Sequence, residues 1–294
     1  MTEVVLCHGI GYQFKHRETA LTDWYEALRL GMTDTIVPVP APERVDAVFY
    51  GNCYRSRNAK GTIPEDEFAG IPPLRAGDVR DPWEKRFLEV LADGAEDPSP
   101  GGEGPKGKGP KGHTQDFLRK LEGSDRLGRP PARVVIHLAR QVRRYLDEND
   151  TVRACALERF RRVVTPETRV IIGHSLGSVV AYEALCAHRR DWNVDTFITL
   201  GSPLGIREIQ DRLLPGLEPD GRREWPKVKR WINVAAEDDP VALVKELAPA
   251  FGDRIEDRSV VNSGIGRIIL GGHNALRYLT TTEVAEGVAD ALRR

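Results

Sequence analysis

Residues 168 to 185 read Thr168-Arg169-Val170-Ile171-Ile172-Gly173-His174-Ser175-Leu176-Gly177-Ser178-Val179-Val180-Ala181-Tyr182-Glu183-Ala184-Leu185. Three pieces follow one another. Val170 to Ile172 is a β-branched apolar run, the mark of a strand buried on both faces. Gly173-His174-Ser175-Leu176-Gly177 is a G-x-S-x-G turn. Ser178 to Leu185 then carries apolar residues at helical spacing. Strand, turn and helix in this order are the context in which such a serine is held out on a strained turn. The glycines have a physical reason, because a Cβ on either side of so tight a turn would meet neighbouring backbone. The helix directs its positive end at Ser175, where negative charge develops in acyl transfer.

Working outward, Val4-Val5-Leu6 is an early strand ending in His8-Gly9-Ile10-Gly11. An H-G-x-G turn at this place supplies an N–H for an oxyanion. The expected donors are the backbone N–H groups of Ile10 and, after the serine, Leu176. Cys7 and His8 are neighbours on a strand and point to opposite faces, so they do not form a dyad. Cys7 reads as a core residue and His8 as a structural turn residue. Thr19 to Met32 reads as a helix, Val45 to Gly51 as a strand, Pro82 to Ala92 and Arg133 to Leu146 as amphipathic helices, and Val152 to Val163 as a crossover helix. Strands are expected at Val194–Leu200 and Val228–Ala235, with a weak one at Ile255–Val261 and a terminal helix over Glu283–Leu292. Strands alternating with helices predict an α/β domain with a mostly parallel sheet covered on both faces.

Residues 52–150 interrupt the alternation and read as an insertion that folds over the sheet as a lid or cap. Within it the Gly/Pro/Lys tract near 98–113 cannot bury a core and is expected to be disordered. The chain of 294 residues is otherwise read as one domain, 1–294. Lys+Arg 43 against Asp+Glu 44 gives a net charge of -1, which does not suggest a nucleic-acid binder. No apolar run is long enough for a membrane span, and no signal peptide is recognisable at the N-terminus. Cys7, Cys53, Cys155 and Cys186 show no paired close spacing, so reduced thiols in a cytoplasmic protein are expected, with neither zinc nor a disulfide framework.

A serine hydroxyl needs an imidazole as general base and a carboxylate to fix the imidazole's tautomer. In a parallel sheet these partners lie just after later strands, because the strand ends gather on one edge. Glu237, Asp238 and Asp239 follow the Trp231–Ala235 run. Asp239 is preferred because Pro240 restricts its backbone to an extended form, with Asp238 and Glu237 open as alternatives. His273 follows Gly271-Gly272 before the last helix. His174 lies inside the elbow and is read as pointing away from the serine. His8, His16, His113, His137 and His188 are out of order or out of place. The order is Ser175, Asp239, His273.

The chain resembles the α/β-hydrolases of the lipase/esterase type. Gly173-His174-Ser175-Leu176-Gly177 matches their G-H-S-L-G elbow, and His8-Gly9-Ile10-Gly11 is similar to their oxyanion turn. Thr199-Leu200-Gly201-Ser202-Pro203 resembles their strand-end T-L-G-S-P, and Trp231–Val234 with Asp239-Pro240-Val241 their acid-bearing segment. The resemblance covers most of the chain outside 52–150. It implies the α/β-hydrolase fold, here lacking the first two strands and carrying a large lid insertion. It also implies a serine hydrolase acting on a carboxylic ester, with a small acyl ester or lipid as substrate and no metal or organic cofactor. Amidases, peptidases and thioesterases use the same triad, and a non-catalytic effector module is a further alternative. The protein partner, if any, is not legible.

Overall fold

The computed structural model describes residues 2–12, 15–55, 73–94, 114–124, 130–188, 191–219, 221–262 and 271–293. The tract near 98–113 lies outside the described residues. Six strands form one sheet: β1 Val4–Cys7, β2 Val45–Val48, β3 Val170–His174, β4 Thr196–Leu200, β5 Arg230–Ala236 and β6 Ile255–Val260. Their spatial order is β2-β1-β3-β4-β5-β6, and every neighbouring pair is parallel. The parallel α/β sheet expected from the sequence is therefore present.

The pleat sorts each strand's side chains onto two faces. On one face Val4, Leu6, Val170, Ile172, Ile198 and Ile232 pack with α1 (Arg17–Gly31), α9 (Ala275–Leu279) and α10 (Thr282–Arg293); the short helices α7 (Arg207–Gln210) and α8 (Ala248–Phe251) precede the last two in the chain. On the other, Val5, Cys7, Ile171, Phe197 and Trp231 pack with α5 (Val152–Val163) and α6 (Leu176–Ala187). α6 is buried along nearly its whole length, between the sheet, α5 and the loops that follow β4, with Tyr145 of the insertion reaching Glu183 on it.

Among its described residues, 52–150 contains the α-helices α2 Pro82–Gly94, α3 Thr114–Gly123 and α4 Ala132–Leu146. The sequence reading found α2 and α4 but not α3, whose apolar positions Phe117, Leu118 and Leu121 stand beside a strongly biased tract. Phe87 and Leu88 of α2, Leu118 of α3 and Ile136 and Val142 of α4 all join the core on the α5–α6 face. The strongest polar tie is buried. The Tyr145 hydroxyl on α4 donates to Glu183 on α6 at 2.6 Å, and Arg153 on α5 pairs with the same carboxylate at 3.3 Å. Burial pushes the Glu183 carboxyl up, against the lowering influence of Arg153 and Tyr145.

The cysteines correct the sequence reading. Cys53 and Cys155 form a disulfide across 102 residues, while Cys7 and Cys186 are buried and not disulfide-bonded. Spacing along the chain did not show this pairing, because β2 brings its own C-terminal end beside α5 only in the folded sheet. The reduced-thiol argument for a cytoplasmic location falls with it. Among the described residues no helix is long and apolar enough to cross a membrane.

Two outcomes follow from the bond. Thiol titration of the denatured, unreduced chain should find two thiols, Cys7 and Cys186; four would mean that the pair does not form. Replacing both Cys53 and Cys155 by Ser should lower unfolding stability by about 2–4 kcal/mol, read from urea midpoints, because a long loop is released in the unfolded chain.

Candidate active site

The site lies where the strand order reverses. β2 lies to one side of β1 and β3 to the other, so the C-terminal ends of β1 and β3 open a crevice. Ser175 stands at the end of β3 with φ 55 and ψ −131, and among the described residues it is the only non-glycine residue with positive φ. Such a conformation is costly and persists only where its surroundings impose it. Here they do. A Cβ on Gly177 would lie 2.3 Å from the His8 carbonyl oxygen and 2.4 Å from that of Cys7, and one on Gly173 would lie 2.7 Å from the Ser178 Cα. The Ser175 N–H donates to the Leu200 carbonyl at 2.9 Å, fixing the turn to the end of β4.

The His8-Gly9-Ile10-Gly11 turn leaves β1 directly against this serine. Gly9 is so close that a Cβ there would lie 3.3 Å from the Ser175 Oγ. Among the described residues neither the Ile10 N–H nor the Leu176 N–H has a protein acceptor. His8 is structural. Its ring stacks between Tyr12 and Tyr50, with centroids 4.4 and 4.3 Å away. The Nδ1–H donates to the Gly9 carbonyl at 2.6 Å, and Nε2 accepts the Tyr50 N–H at 3.1 Å. The Gly11 N–H donates to Gln141 Oε1 at 3.0 Å, tying this turn to α4.

The three acids after β5 separate in space. Asp239 faces His273, whose Nδ1 lies 2.8 Å from Oδ2 and 3.0 Å from Oδ1. Asp239 Oδ2 also accepts the Tyr278 hydroxyl at 2.6 Å, and Oδ1 accepts the Val241 and Ala242 N–H groups. Burial favours protonation of this carboxyl, but the His273 charge and the hydrogen bonds from His273, Tyr278 and Val241 outweigh it and hold the group well below the usual carboxylate range. Tyr278 is the reverse case: burial and the adjacent Asp239 charge push its hydroxyl far up, so it acts as a neutral donor. The same oxygen accepts the Ala236 N–H at 2.8 Å. Gly201 leaves the room this pair needs, since a Cβ there would lie 2.4 Å from Asp239 Oδ2 and 2.9 Å from His273 Nδ1.

His174, which the sequence reading has pointing away from the serine, packs against His273. Its ring packs 4.5 Å from that of His273, and its Nε2 lies 2.9 Å from the His273 carbonyl. A carbonyl only accepts, so Nε2 carries the proton and the ring is a neutral donor that holds the His273 backbone. Burial first, and then the His273 charge, lowers its pKa to about 3. The sequence offered no sign of Tyr278 or His174 in these roles. Tyr278 stands one helical turn after Asn274, whose side chain caps that helix.

Ser175 and His273 both line a cavity of about 280 Å³. Its other walls are mostly apolar: Phe87, Leu91, Leu121, Leu138 and Val142 from α2, α3 and α4 line one part, and Ile10, Leu176, Pro203, Ile209, Val241 and Leu276 from the rest of the chain line another. Among the described residues no three His, Cys, Asp or Glu side chains gather as metal ligands would.

His8 and His174 are both buried, and each has its pKa lowered from 6.5 to about 3, in each case chiefly by burial. The unfolded chain therefore binds more protons than the fold between those values. The stability from these two groups is complete above about pH 6.5 and declines as pH falls, by up to about 1.4 kcal/mol per pH unit for each histidine. Urea midpoints measured from pH 7.5 to 4.5 should show this decline, and a flat profile would contradict it. Tyr278→Phe should cost about 1–3 kcal/mol, because it leaves the buried Ala236 N–H without its acceptor.

Comparisons with protein-family models, with curated proteins and with solved structures found no match.

Proposed function

We propose that the protein is a serine hydrolase of carboxylic esters, with the α/β-hydrolase architecture and with α2–α4 as its cap. The observation that carries this reading is the convergence on one apolar cavity of a serine at positive φ and a histidine whose Nδ1 is held by a buried, ionised carboxylate. A neutral core would not maintain three such costly features side by side.

In this reading the Asp239 carboxylate fixes the His273 tautomer with Nδ1 protonated. Nε2, the nitrogen that Asp239 does not engage, accepts the Ser175 proton as Oγ attacks the acyl carbonyl. The Ile10 and Leu176 N–H groups, which have no acceptor among the described residues, receive the oxyanion, and the N-terminus of α6 adds its positive end. His273 then protonates the leaving alkoxide. Water, deprotonated by the same imidazole, releases the acid from Ser175. The acyl chain lies along Leu91, Leu138 and Val142, and apolar contact there favours esters over small polar amides.

A fluorophosphonate probe should label the wild-type chain and fail to label Ser175→Ala. On a series of p-nitrophenyl esters, kcat/KM should rise about fourfold per added methylene, at about 0.8 kcal/mol each, until the cavity is filled. Asp239→Asn should lower kcat by about 10⁴-fold through the wrong tautomer. Absence of both labelling and ester turnover in the wild-type chain would refute the hydrolase reading.

A further inference from the structure

A second cavity, of about 330 Å³, lies beyond the C-terminal end of β2. Three elements wall it: the approach to α1, the end of β2 with the Gly51–Tyr54 turn, and the C-terminal half of α5. Its charged lining is cationic, with Lys15, Arg17, Arg55, Arg159 and Arg162, and among the described residues no carboxylate lines it. Asp46 and Glu158 stand outside that lining, paired with Arg17 and with Arg162. In a chain of net charge -1 this is a pronounced local excess. A concave surface of one sign concentrates its field inside and favours a counter-ion there. Guanidinium forks match the oxygen geometry of a phosphate.

Two further features give the cavity a purpose beyond a solvated basic face. Lys15 lines it and also lines the cavity that contains Ser175, so the two spaces adjoin at one side chain. The Cys53–Cys155 bond fastens two of the walls together, since Cys53 lies between Asn52 and Arg55, and Cys155 is one turn before Arg159. Walls held this way need little reordering when a ligand enters.

We propose that this cavity binds a phosphate group carried by the alcohol portion of the substrate, so that the ester cleaved at Ser175 has an apolar acyl chain and a phosphorylated leaving group. The inference rests on the ester-hydrolase reading of Ser175. The acyl chain occupies the apolar cavity, the ester carbonyl sits at Ser175, and the alcohol passes Lys15 into the basic cavity. The phosphate keeps its own bonds; only the acyl C–O bond breaks, and His273 protonates the alcohol that leaves.

The test compares dihexanoyl phosphatidate, below its micellar concentration, with dihexanoylglycerol, which has the same acyl chains and no phosphate. The wild-type ratio of kcat/KM, phosphatidate over glyceride, should exceed tenfold. It should fall at least tenfold in R159Q/R162Q and hold in R161Q, a neighbouring arginine outside the cavity. A wild-type ratio near one, or a ratio that the double variant does not move, overturns the proposal. Calorimetry on Ser175→Ala reads the cavity without chemistry. Glycerol 3-phosphate should bind, and R159Q/R162Q in that background should abolish the binding. If inorganic phosphate binds equally well while the kcat/KM ratio is near one, the cavity takes a free anion and the substrate assignment is wrong. If no ester is turned over, p-nitrophenyl butyrate included, the hydrolase reading fails by itself, and glycerol 3-phosphate binding still decides whether the cavity takes a phosphate.

Discussion

Contact between Gly177 and the end of β1 is the constraint on which the rest of the site depends. Two carbonyl oxygens, of Cys7 and His8, occupy the space where a side chain on Gly177 would begin. That contact brings β1 and the first turn of α6 together at backbone distance. It leaves Ser175 no ordinary conformation, so the residue stands at φ 55. It also brings the Gly9-Ile10-Gly11 turn against the serine. One approach of backbone to backbone thus sets both the serine's exposure to the cavity and the proximity of two N–H groups without acceptors.

The acid and the imidazole are positioned from the opposite direction. β3, β4 and β5 run in register, so their ends are level, and each end is tied to the next: Ser175 N–H to the Leu200 carbonyl, and Gly201 N–H to the Val234 carbonyl. Asp239 is then held by Tyr278, by the Val241 and Ala242 N–H groups and by His273. Burying a carboxylate is expensive, and several directed donors are what offset it. Tyr278 fastens the acid to α9, while His174 fastens the His273 backbone to the elbow itself. The elbow, the acid loop and the histidine loop are therefore one hydrogen-bonded unit.

The insertion does more than cover the sheet. Its helices reach α6 through Tyr145, supply part of the apolar wall of the cavity, and tie the His8–Gly11 turn through Gln141. The disulfide anchors the chain as it leaves β2 for this excursion, on the side where the cationic cavity opens. One stretch of chain thus contributes to the apolar side of the site, while its covalent anchor fixes the charged side.

The local sequence alone determined the parallel strands, the strained turn and the identity of the residues at the strand ends. Each of these rests on short-range pattern: β-branched runs for strands, helical spacing after Gly177, and Gly residues where backbone crowds. The preference for Asp239 over Asp238 and Glu237 came from Pro240, a neighbour in sequence. Relations between distant residues were decided only by the tertiary structure. Cys53 finds Cys155 because β2 lies beside α5, and no spacing along the chain carries that information. Helix α3 is amphipathic, but its ten residues are short and follow directly on a low-complexity tract whose composition masks them. The contact of His174 with His273 was not legible because it follows from how the two loops pack and not from the turn that contains His174. Tyr278 and the basic cavity were invisible for the same reason: a hydroxyl on α9 and cations from α1, β2's end and α5 acquire meaning only when the sheet sets them side by side.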